Sequence, residues 1–281
     1  MASKNTSNTF TLPSANILKI VLESVKDLIT DANLDLSTNG ISMQSMDSSH
    51  VSLVALLMDK EMFTIIDLQK SVTLGIKIPS LINALKFGGV DNELKMNYLG
   101  DTVDLLFSNS GETVKKLGLK LQDIDSDHLG IPPNKHPFIF EVNADAFNAD
   151  IQAMATCGVS TLQFIITKEK ITVRGDGDEM SPEAYLVPGK TPYLKSFKFE
   201  PKDPSMKRCQ VTLAMRYILF FMKAVKVSNK LTISLNPDMP AEFSFQIQGP
   251  EEKFINSKLI FYLAPKVEDE EEEESRNAMQ V

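Results

Sequence analysis

The chain alternates between two hydrophobic patterns, one with the spacing of an α-helix and one with the spacing of a β-strand. Apolar residues recur every three or four positions in four stretches, which predicts helices over residues 14–29, 79–87, 147–154 and 215–225. In the first helix Ser14 is a candidate cap, and the face opposite the apolar stripe carries Asn16, Lys19, Glu23 and Lys26.

Period-two alternation, typical of β-strands, fills most of the remaining chain. Leu34–Ser37 and Ile41–Met43 flank Asn39-Gly40, the commonest kind of two-residue turn, and predict a β-hairpin. A second hairpin is predicted around Lys168-Glu169-Lys170, and further strands over residues 231–235, 243–247 and 259–263. Each half of the chain therefore combines two helices with many antiparallel strands, which is an α+β pattern.

The two halves also repeat each other. Val72-Thr73-Leu74 precedes the second helix and Val211-Thr212-Leu213 precedes the fourth, at an offset of 139 residues. The segments that begin at Asn92 and Asn229 match in type and order at an offset of 137 residues. Two matches at nearly one period predict a duplicated domain. Chance similarity of two strand-rich segments is the alternative.

The least regular stretch, residues 122–137, joins these halves. Its three prolines and one glycine exclude a long helix or a central strand. Leu129 and Ile131 lie in its middle, and exposed apolar side chains gain nothing from water. We therefore predict a connector docked across a groove, with a disordered linker as the alternative. The predicted division is an N-terminal domain (1–121), the connector (122–137), a C-terminal domain (138–267) and an acidic disordered tail (268–281).

Composition and charge fit this division. A chain of 281 residues, 43% of them apolar, can bury the cores of about two domains. Seven consecutive acids from Glu268 dominate the formal charge of −8, and without them and Arg276 residues 1–267 carry −2. A run of like charges repels itself and favours disorder. Because no apolar run approaches about 20 residues and no signal peptide is evident, a soluble intracellular protein is expected.

Candidate chemistry for an enzyme is sparse. Cys157 and Cys209 occur without a CxxC pair or a histidine cluster, so neither a disulfide framework nor a zinc site is indicated, and both are expected to be buried thiols. Asp47, Ser48, Ser49 and His50 are a conceivable hydrolytic cluster, but sequence neighbours rarely point at one another. No G-x-S-x-G motif accompanies them. The sequence therefore argues against catalysis, and no cofactor is expected.

Four separated segments closely resemble signature segments of the eukaryotic sliding clamps, the proliferating cell nuclear antigen (PCNA) family. They are residues 17–29, 45–54 (SMDSSHVSLV), 129–132 (LGIP) and 262–269 (YLAPKVED). The resemblance runs from about Phe10 to Glu270 in one order with small gaps. It implies a non-enzymatic DNA clamp fold of two similar domains, with three identical subunits closed head to tail into a ring around duplex DNA.

The resemblance also implies partners and a location. The family gives processivity in the nucleus by tethering PIP-box proteins such as DNA polymerase, the clamp loader, flap endonuclease and ligase, and no membrane partner is implied. Matching positions predict that the peptide pocket is lined by Met46, His50, Val51, Leu53, Leu129, Ile131, Pro240, Tyr262, Ala264 and Pro265. His136 stands where the family has a connector tyrosine.

The positions that line the ring and form the joint between subunits match the family only in part. The basic positions that line the ring are matched by Lys19, Lys26, Lys86, Arg216 and Lys223, whereas Ile20, Asn83, Ala149 and Gln152 stand where the family commonly has Lys or Arg. The joint between subunits would pair residues 113–120 with residues 183–187 and include Leu117, in place of a usual aromatic residue, and Tyr185. Lys168 matches the lysine that the family modifies with ubiquitin.

Three alternatives remain open at this point. The chain could be a subunit of a heterotrimeric checkpoint-type clamp, which would not form a trimer by itself. It could be a peptide-binding scaffold that does not act on DNA, which predicts no ring. An esterase or metal hydrolase would need a nucleophile motif or clustered ligands, and the three histidines, His50, His128 and His136, offer neither.

Overall fold

A computed structural model describes residues 8–89, 91–125, 136–201, 203–248 and 254–266. The first half of the chain comprises β1 (Thr9–Leu12), α1 (Asn16–Val25), β2 (Asp31–Ser37), β3 (Gly40–Met46), β4 (Ser52–Asp59), a 3-10 turn (Lys60–Met62), β5 (Ile65–Asp67), β6 (Val72–Lys77), α2 (Ile78–Gly88), β7 (Glu93–Tyr98), β8 (Thr102–Asn109) and β9 (Glu112–Lys120). Leu129, Ile131 and the acidic tail lie outside the described residues.

The second half follows the same plan. It comprises β10 (Phe138–Asn143), α3 (Ala144–Ala155), β11 (Thr161–Thr167), β12 (Ile171–Asp176), β13 (Glu183–Leu186), β14 (Leu194–Phe199), β15 (Arg208–Ala214), α4 (Met215–Phe221), a 3-10 turn (Met222–Lys226), β16 (Lys230–Leu235), β17 (Ala241–Gln248) and β18 (Phe254–Leu263). Both halves therefore place a helix after their first and sixth strands. The duplication predicted from the sequence is confirmed in the order of elements.

The chain divides into two compact units. The first unit takes Lys223–Asn229 and Ser244–Phe261 in addition to the N-terminal half, and the second takes the rest of the C-terminal half. The division into domains at residues 121 and 138 stays a prediction.

The first unit contains a five-stranded sheet in the order β5-β1-β7-β8-β9. It also holds strands ordered β18-β4-β3-β2-β6, so the last strand of the chain pairs with β4. The second unit contains strands ordered β14-β10-β16, continued by the first part of β17, and a four-stranded sheet ordered β13-β12-β11-β15. Strand β2 pairs with β3, and β11 with β12, in antiparallel fashion.

The buried faces follow the predicted periodicity. Leu162, Phe164 and Ile166 alternate along β11, and all three side chains are fully buried. Leu18 and Val21 of α1 are likewise completely buried, and each stabilises the fold by about 1.5–3 kcal/mol through lost contact with water. Helix α1 contacts α2, and α3 contacts α4. Among the described residues, no helix is long and apolar enough to cross a membrane.

Three local predictions need correction. The first hairpin forms, but Ser37 pairs with Gly40, so the turn is Thr38-Asn39. Gly40 belongs to the strand because a Cβ there would lie 2.0 Å from the carbonyl oxygen of Met58. Helix α1 ends at Val25 rather than at residue 29. The fourth helix ends at Phe221 and continues as a 3-10 turn over Met222–Lys226, rather than running as an α-helix to residue 225.

The start of the connector is docked, as the sequence predicts. The backbone N–H of Gln122 donates to the carbonyl of Gly75 at 2.9 Å, on the edge of β6. The Asn33 side-chain amide donates to the carbonyl of Ile124 at 2.8 Å. Only glycine fits at position 75, because a Cβ would lie 2.0 Å from the Gln122 carbonyl oxygen. The first residues of the connector, Gln122 to Ile124, therefore lie directly against β2 and β6.

Candidate functional site

The loop between β3 and β4 is built around the carboxylate of Asp47. This buried side chain accepts hydrogen bonds from the backbone N–H groups of Ser49, Val51 and Ser52, at 3.0, 2.9 and 2.6 Å. The loop also holds His50 in a left-handed conformation, with φ of 55°. A carboxylate that satisfies three backbone donors has a structural role. The loop therefore fixes where Met46 and His50 stand and leaves Asp47 engaged with the backbone.

A groove of about 320 Å³ opens beside this loop in the first unit. Three predicted pocket residues, Met46, His50 and Leu53, line it, whereas Val51 does not. The remaining lining comes from strands β2 and β3 and from the start of the connector: Asp31, Ala32, Asn33, Gln44, Ser45, Ile124 and Asp125. The groove therefore combines apolar side chains with two exposed carboxylates.

The other predicted pocket residues that the structure describes lie in the second unit. Pro240 and Ala264 are exposed, while Tyr262 and Pro265 are partly exposed. Burial, together with the nearby charge of Glu242, raises the pKa of Tyr262 to about 12, so its hydroxyl stays protonated at neutral pH.

His136, at the end of the connector, is almost completely buried. Its Nε2 lies 3.8 Å from Oε2 of Glu242, and its Nδ1 has no hydrogen-bond partner among the described residues. Burial lowers the pKa of His136 because the charged imidazolium is poorly solvated there. A neutral, buried imidazole thus stands at the end of the connector.

Helices α1 and α2, the residue after α1 and the 3-10 turn Met222–Lys226 carry four of the five predicted basic residues. Lys19 and Lys86 both contact Glu23, with Nζ to carboxylate distances of 3.2 and 3.1 Å. Lys223 contacts Asp27 at 2.7 Å. Lys26 is exposed, and no carboxylate of the described residues lies within ion-pair distance of it. Three of these four ammonium groups therefore already have a carboxylate neighbour.

Arg216, the fifth predicted basic residue, lies at the start of α4 in the second unit. Its guanidinium stacks over the ring of Tyr217, 4.7 Å from the centroid, and donates to the Tyr217 hydroxyl at 3.1 Å. Helix α3 in the same unit carries Asp145 and Asp150 but no basic residue, and Ala149 and Gln152 are exposed on it. Basic side chains are thus scarcer on the helices of the second unit.

The two strands predicted to form the joint between subunits both end a sheet. Strand β9 pairs only with β8, and Leu117 on it is partly exposed. Strand β13 pairs only with β12 and spans four residues, as its flanking prolines predict. Tyr185 on β13 is 51% exposed, with the ammonium of Lys170 4.5 Å from its ring centroid and its hydroxyl bonded to Glu183.

Two further predictions concern single residues. Lys168 is exposed in the turn between β11 and β12. Cys209 is buried, and burial and the charge of Asp238 raise the pKa of its thiol to about 11. The prediction that both thiols are buried is wrong for Cys157, which is partly exposed because it lies in the turn that ends α3. In the described part of the chain, no three His, Cys, Asp or Glu side chains could together hold a metal ion.

Several residues of these surfaces were not singled out from the sequence. Glu23 was visible only as part of a polar helix face, although its i,i+4 spacing from Lys19 is a signal for an ion pair. Phe87, 52% exposed beside Lys115 of β9, carries no sequence signal that separates it from a core residue. Asn33 and Gln44 occupy ordinary strand positions, and only the fold brings them to the groove.

Comparisons with known proteins agree along the whole described chain. The family model "Proliferating cell nuclear antigen, N-terminal domain" matches residues 9–129, and the corresponding C-terminal model matches residues 130–266. The chain is 32% identical to the proliferating cell nuclear antigen of Caenorhabditis elegans over 266 residues, which cover 92% of this chain and 97% of that protein.

A solved structure gives the same result. The crystal structure of the proliferating cellular nuclear antigen from Entamoeba histolytica superimposes with a TM-score of 0.79 at 28% identity, covering 93% of this chain and 99% of that one. The sequence matches and the fold thus point to one family. The chain belongs to the proliferating cell nuclear antigen family and is a DNA sliding clamp.

Proposed function

We propose that three copies of this clamp subunit close head to tail into a homotrimeric ring around duplex DNA. The ring would tether PIP-box proteins, among them DNA polymerase, the clamp loader, flap endonuclease and ligase, and so give processivity in replication and repair. We further propose that it acts in the nucleus and has no enzymatic activity of its own.

The observation that carries the ring is the internal repetition of the sheets. By order in the chain, β18 is the counterpart of β9, and β4 is the counterpart of β13. Strands β18 and β4 are neighbours in one sheet, whereas β9 and β13 each end a sheet. Open edges invite pairing with another chain. If β9 of one copy paired with β13 of the next, every copy would use both edges, and a heterologous contact of this kind can close into a ring.

Of the other four sheet edges among the described residues, β5, β6 and β15 are short or covered, and β14 in the second unit has six residues. The connector covers β6, because Gln122 donates to Gly75, and the segment after β18 covers β15 in the same way, because the Lys266 N–H donates to the Thr212 carbonyl at 2.8 Å. Strand β5 has only three residues. This leaves β9, with nine residues, as the longest sheet edge in the first unit, which supports its use in the joint between copies.

The lysines on or next to α1, on α2 and in the 3-10 turn Met222–Lys226 support contact with the DNA backbone. Lys19 and Lys86 face Glu23, Lys223 faces Asp27 and Lys26 is exposed, so these six side chains together have a formal charge of +2. Ammonium groups bind phosphates without reading sequence. A modest positive charge gives weak, salt-sensitive attraction, and retention on DNA would then come from enclosure by the ring.

The groove beside Met46, His50 and Leu53 supports binding of a short peptide. An apolar floor accepts hydrophobic anchors of an amphipathic turn, and the connector backbone offers hydrogen-bonding groups to the flanks. Asp31 and Asp125 on the same groove would favour a peptide with a basic residue next to its anchors. We include Leu129 and Ile131 of the connector and Pro240, Tyr262, Ala264 and Pro265 in the proposed binding surface. Exposed Lys168 is proposed as a modification site.

Sedimentation of the purified chain tests the ring. A mass near three times the 31.2 kDa chain is expected, and it should fall to the monomer mass on dilution because Leu117 replaces an aromatic residue at the joint. A chain that stays monomeric at all concentrations would contradict the homotrimer and favour a subunit of a heterotrimeric clamp or a scaffold that forms no ring.

Calorimetry with a PIP-box peptide tests the groove. Ile131→Ala should weaken binding by roughly 1–2 kcal/mol, the scale of one lost apolar contact. Ile65→Ala is the matched control, because Ile65 is 51% exposed on β5 and does not line the groove. Equal affinities of the two variants would mean that the connector only links the two halves.

A further inference from the structure

The carboxylate of Glu23 binds two of the lysines that are proposed to face DNA. Its Oε2 lies 3.2 Å from Nζ of Lys19, one turn earlier on α1, and its Oε1 lies 3.1 Å from Nζ of Lys86 on α2. Each carboxylate oxygen is therefore taken by a different lysine. The two ammonium groups, which lie on two different helices, therefore share the single negative charge of the Glu23 carboxylate.

The contact with Lys19 is partly buried, and the contact with Lys86 is more open. The Glu23 side chain is 29% exposed and that of Lys19 only 19% exposed, so water screens their attraction less than at an open surface, whereas the Lys86 side chain is 51% exposed. Burial by itself would raise the pKa of Glu23, but hydrogen bonds from Lys86 and Lys19 outweigh it and leave that pKa lowered. Glu23 is therefore ionised at neutral pH, with one carboxylate oxygen facing each lysine.

A second lysine–carboxylate pair, Lys223 with Asp27, lies just beyond the C-terminal end of α1. Oδ2 of Asp27 accepts a hydrogen bond from Nζ of Lys223 at 2.7 Å. The backbone supports this contact, because the Ser24 hydroxyl lies 3.4 Å from the Lys223 carbonyl oxygen and 2.8 Å from the carbonyl of Ile20. Basic and acidic groups thus alternate along α1 and the turn that follows it, in the order Lys19, Glu23, Lys26, Asp27.

We infer that Glu23 is a positioning residue that holds Lys19 and Lys86 together and limits how many phosphates they neutralise. The inference rests on the proposed encirclement of DNA. Affinity for duplex scales with the number of phosphates neutralised, because each contact releases counterions. A phosphate that approaches Lys19 or Lys86 must compete with the Glu23 carboxylate. The contacts are therefore weak and exchangeable, which suits a ring that moves along the duplex.

The test is a salt titration of Glu23→Gln. Fluorescence anisotropy of a short labelled linear duplex is measured with the full-length chain at increasing KCl. Release of one lysine should steepen the slope of log K against log[salt] by about 0.9, and this raises affinity at about 0.1 M salt roughly eightfold. A role of Glu23 confined to stabilising the helix pair would change the unfolding midpoint but leave this slope unchanged.

Two controls isolate the effect. Glu61→Gln, in the 3-10 turn after β4, removes the same charge from an exposed glutamate and should leave the slope at the parent value. In a chain that carries both Lys19→Gln and Lys86→Gln, adding Glu23→Gln should give no gain, because no lysine remains to be released. Asp27→Asn, which releases Lys223, is the second test variant if Glu23→Gln does not fold.

The outcomes separate the inference from the proposed function. Equal slopes for Glu23→Gln and Glu61→Gln, with the double lysine variant still weaker than the parent, would overturn the role of Glu23 and leave the DNA-facing helices in place. An unchanged affinity of the double lysine variant would overturn both. A steeper slope for Glu23→Gln that vanishes in the double lysine background would support both.

Discussion

Replacing Gly75 by alanine tests whether the start of the connector is held against the edge of β6. A Cβ at this buried position would lie 2.0 Å from the carbonyl oxygen of Gln122 and 3.2 Å from Oδ1 of Asn33. Because a packed interior has no free space for an added methyl group, the connector backbone must retreat by roughly 1 Å. The retreat would lengthen the hydrogen bond from the Gln122 N–H to the Gly75 carbonyl, which is 2.9 Å in the parent.

The expected loss of stability combines three contributions. Overpacking of this kind costs about 1–3 kcal/mol, and a weakened hydrogen bond adds about 1 kcal/mol. Alanine also restricts the unfolded chain, which opposes the loss by about 0.4–1 kcal/mol. The free energy of unfolding should therefore fall by about 1–3 kcal/mol. The Asn33 side chain, whose Oδ1 lies 3.2 Å from the added Cβ, also donates to the Ile124 carbonyl, and this hydrogen bond should weaken too.

Urea unfolding measures this change as a shift of the midpoint at constant slope. Gly118→Ala in β9 is the matched control, because the nearest atom to a Cβ there is Oδ1 of Asp104 at 3.5 Å, an ordinary contact. That variant should be as stable as the parent or slightly more stable. Equal midpoints for Gly75→Ala and Gly118→Ala would refute the docking of Gln122 on β6.

Three further predictions follow from single side chains. Asp47→Asn should lower the free energy of unfolding by about 1.5–3 kcal/mol, because an amide replaces the charge that accepts three backbone hydrogen bonds; unchanged urea stability would contradict this role. His136 is buried in its neutral form and its pKa lies below the ordinary 6.5, so its contribution to stability is present above pH 6.5 and is lost as the pH falls through the folded-state pKa. His136→Gln should flatten that part of the pH profile of the free energy of unfolding in urea. A variant whose stability falls with pH as steeply as the parent's would show that another group titrates. Tyr185→Asp should weaken the trimer in sedimentation by burying an unpaired charge at the joint, and a variant as trimeric as the parent would argue against a joint at β13.

The sequence by itself determined the elements and their repetition. All four helices and both hairpins form, although the first and fourth helices end earlier than predicted and the first turn moves by one residue. Strands also occupy the predicted ranges 231–235, 243–247 and 259–263, because burial of one face imposes a period of 3.6 or 2 on each segment. The repeat was visible in the sequence because the two halves of the chain must satisfy the same pattern of buried and exposed positions. The short strand at Glu183–Leu186 was also predictable, since proline on each side cannot donate to a ladder.

Family membership was equally accessible from the sequence. Four short segments in one order indicated the sliding clamps, and the family models and relatives confirm that assignment over the whole described chain. The residues expected at the peptide pocket and at the joint between copies remain predictions, because they concern surfaces that only a bound peptide or a second copy would complete.

The tertiary structure decided the features that depend on residues far apart in the chain. Gly40 pairs with Ser37, so the turn moves by one residue, and the Met58 carbonyl leaves no room for a side chain at position 40. Strand β18 pairs with β4, whereas their counterparts β9 and β13 each end a sheet, and this difference appears only in the fold. Glu23 contacts Lys86 only because α2 packs beside α1, so the charge available to DNA is set by the packing of the helices. Periodicity records which face of a segment is buried, whereas the choice of partner depends on packing between segments that the local pattern does not specify.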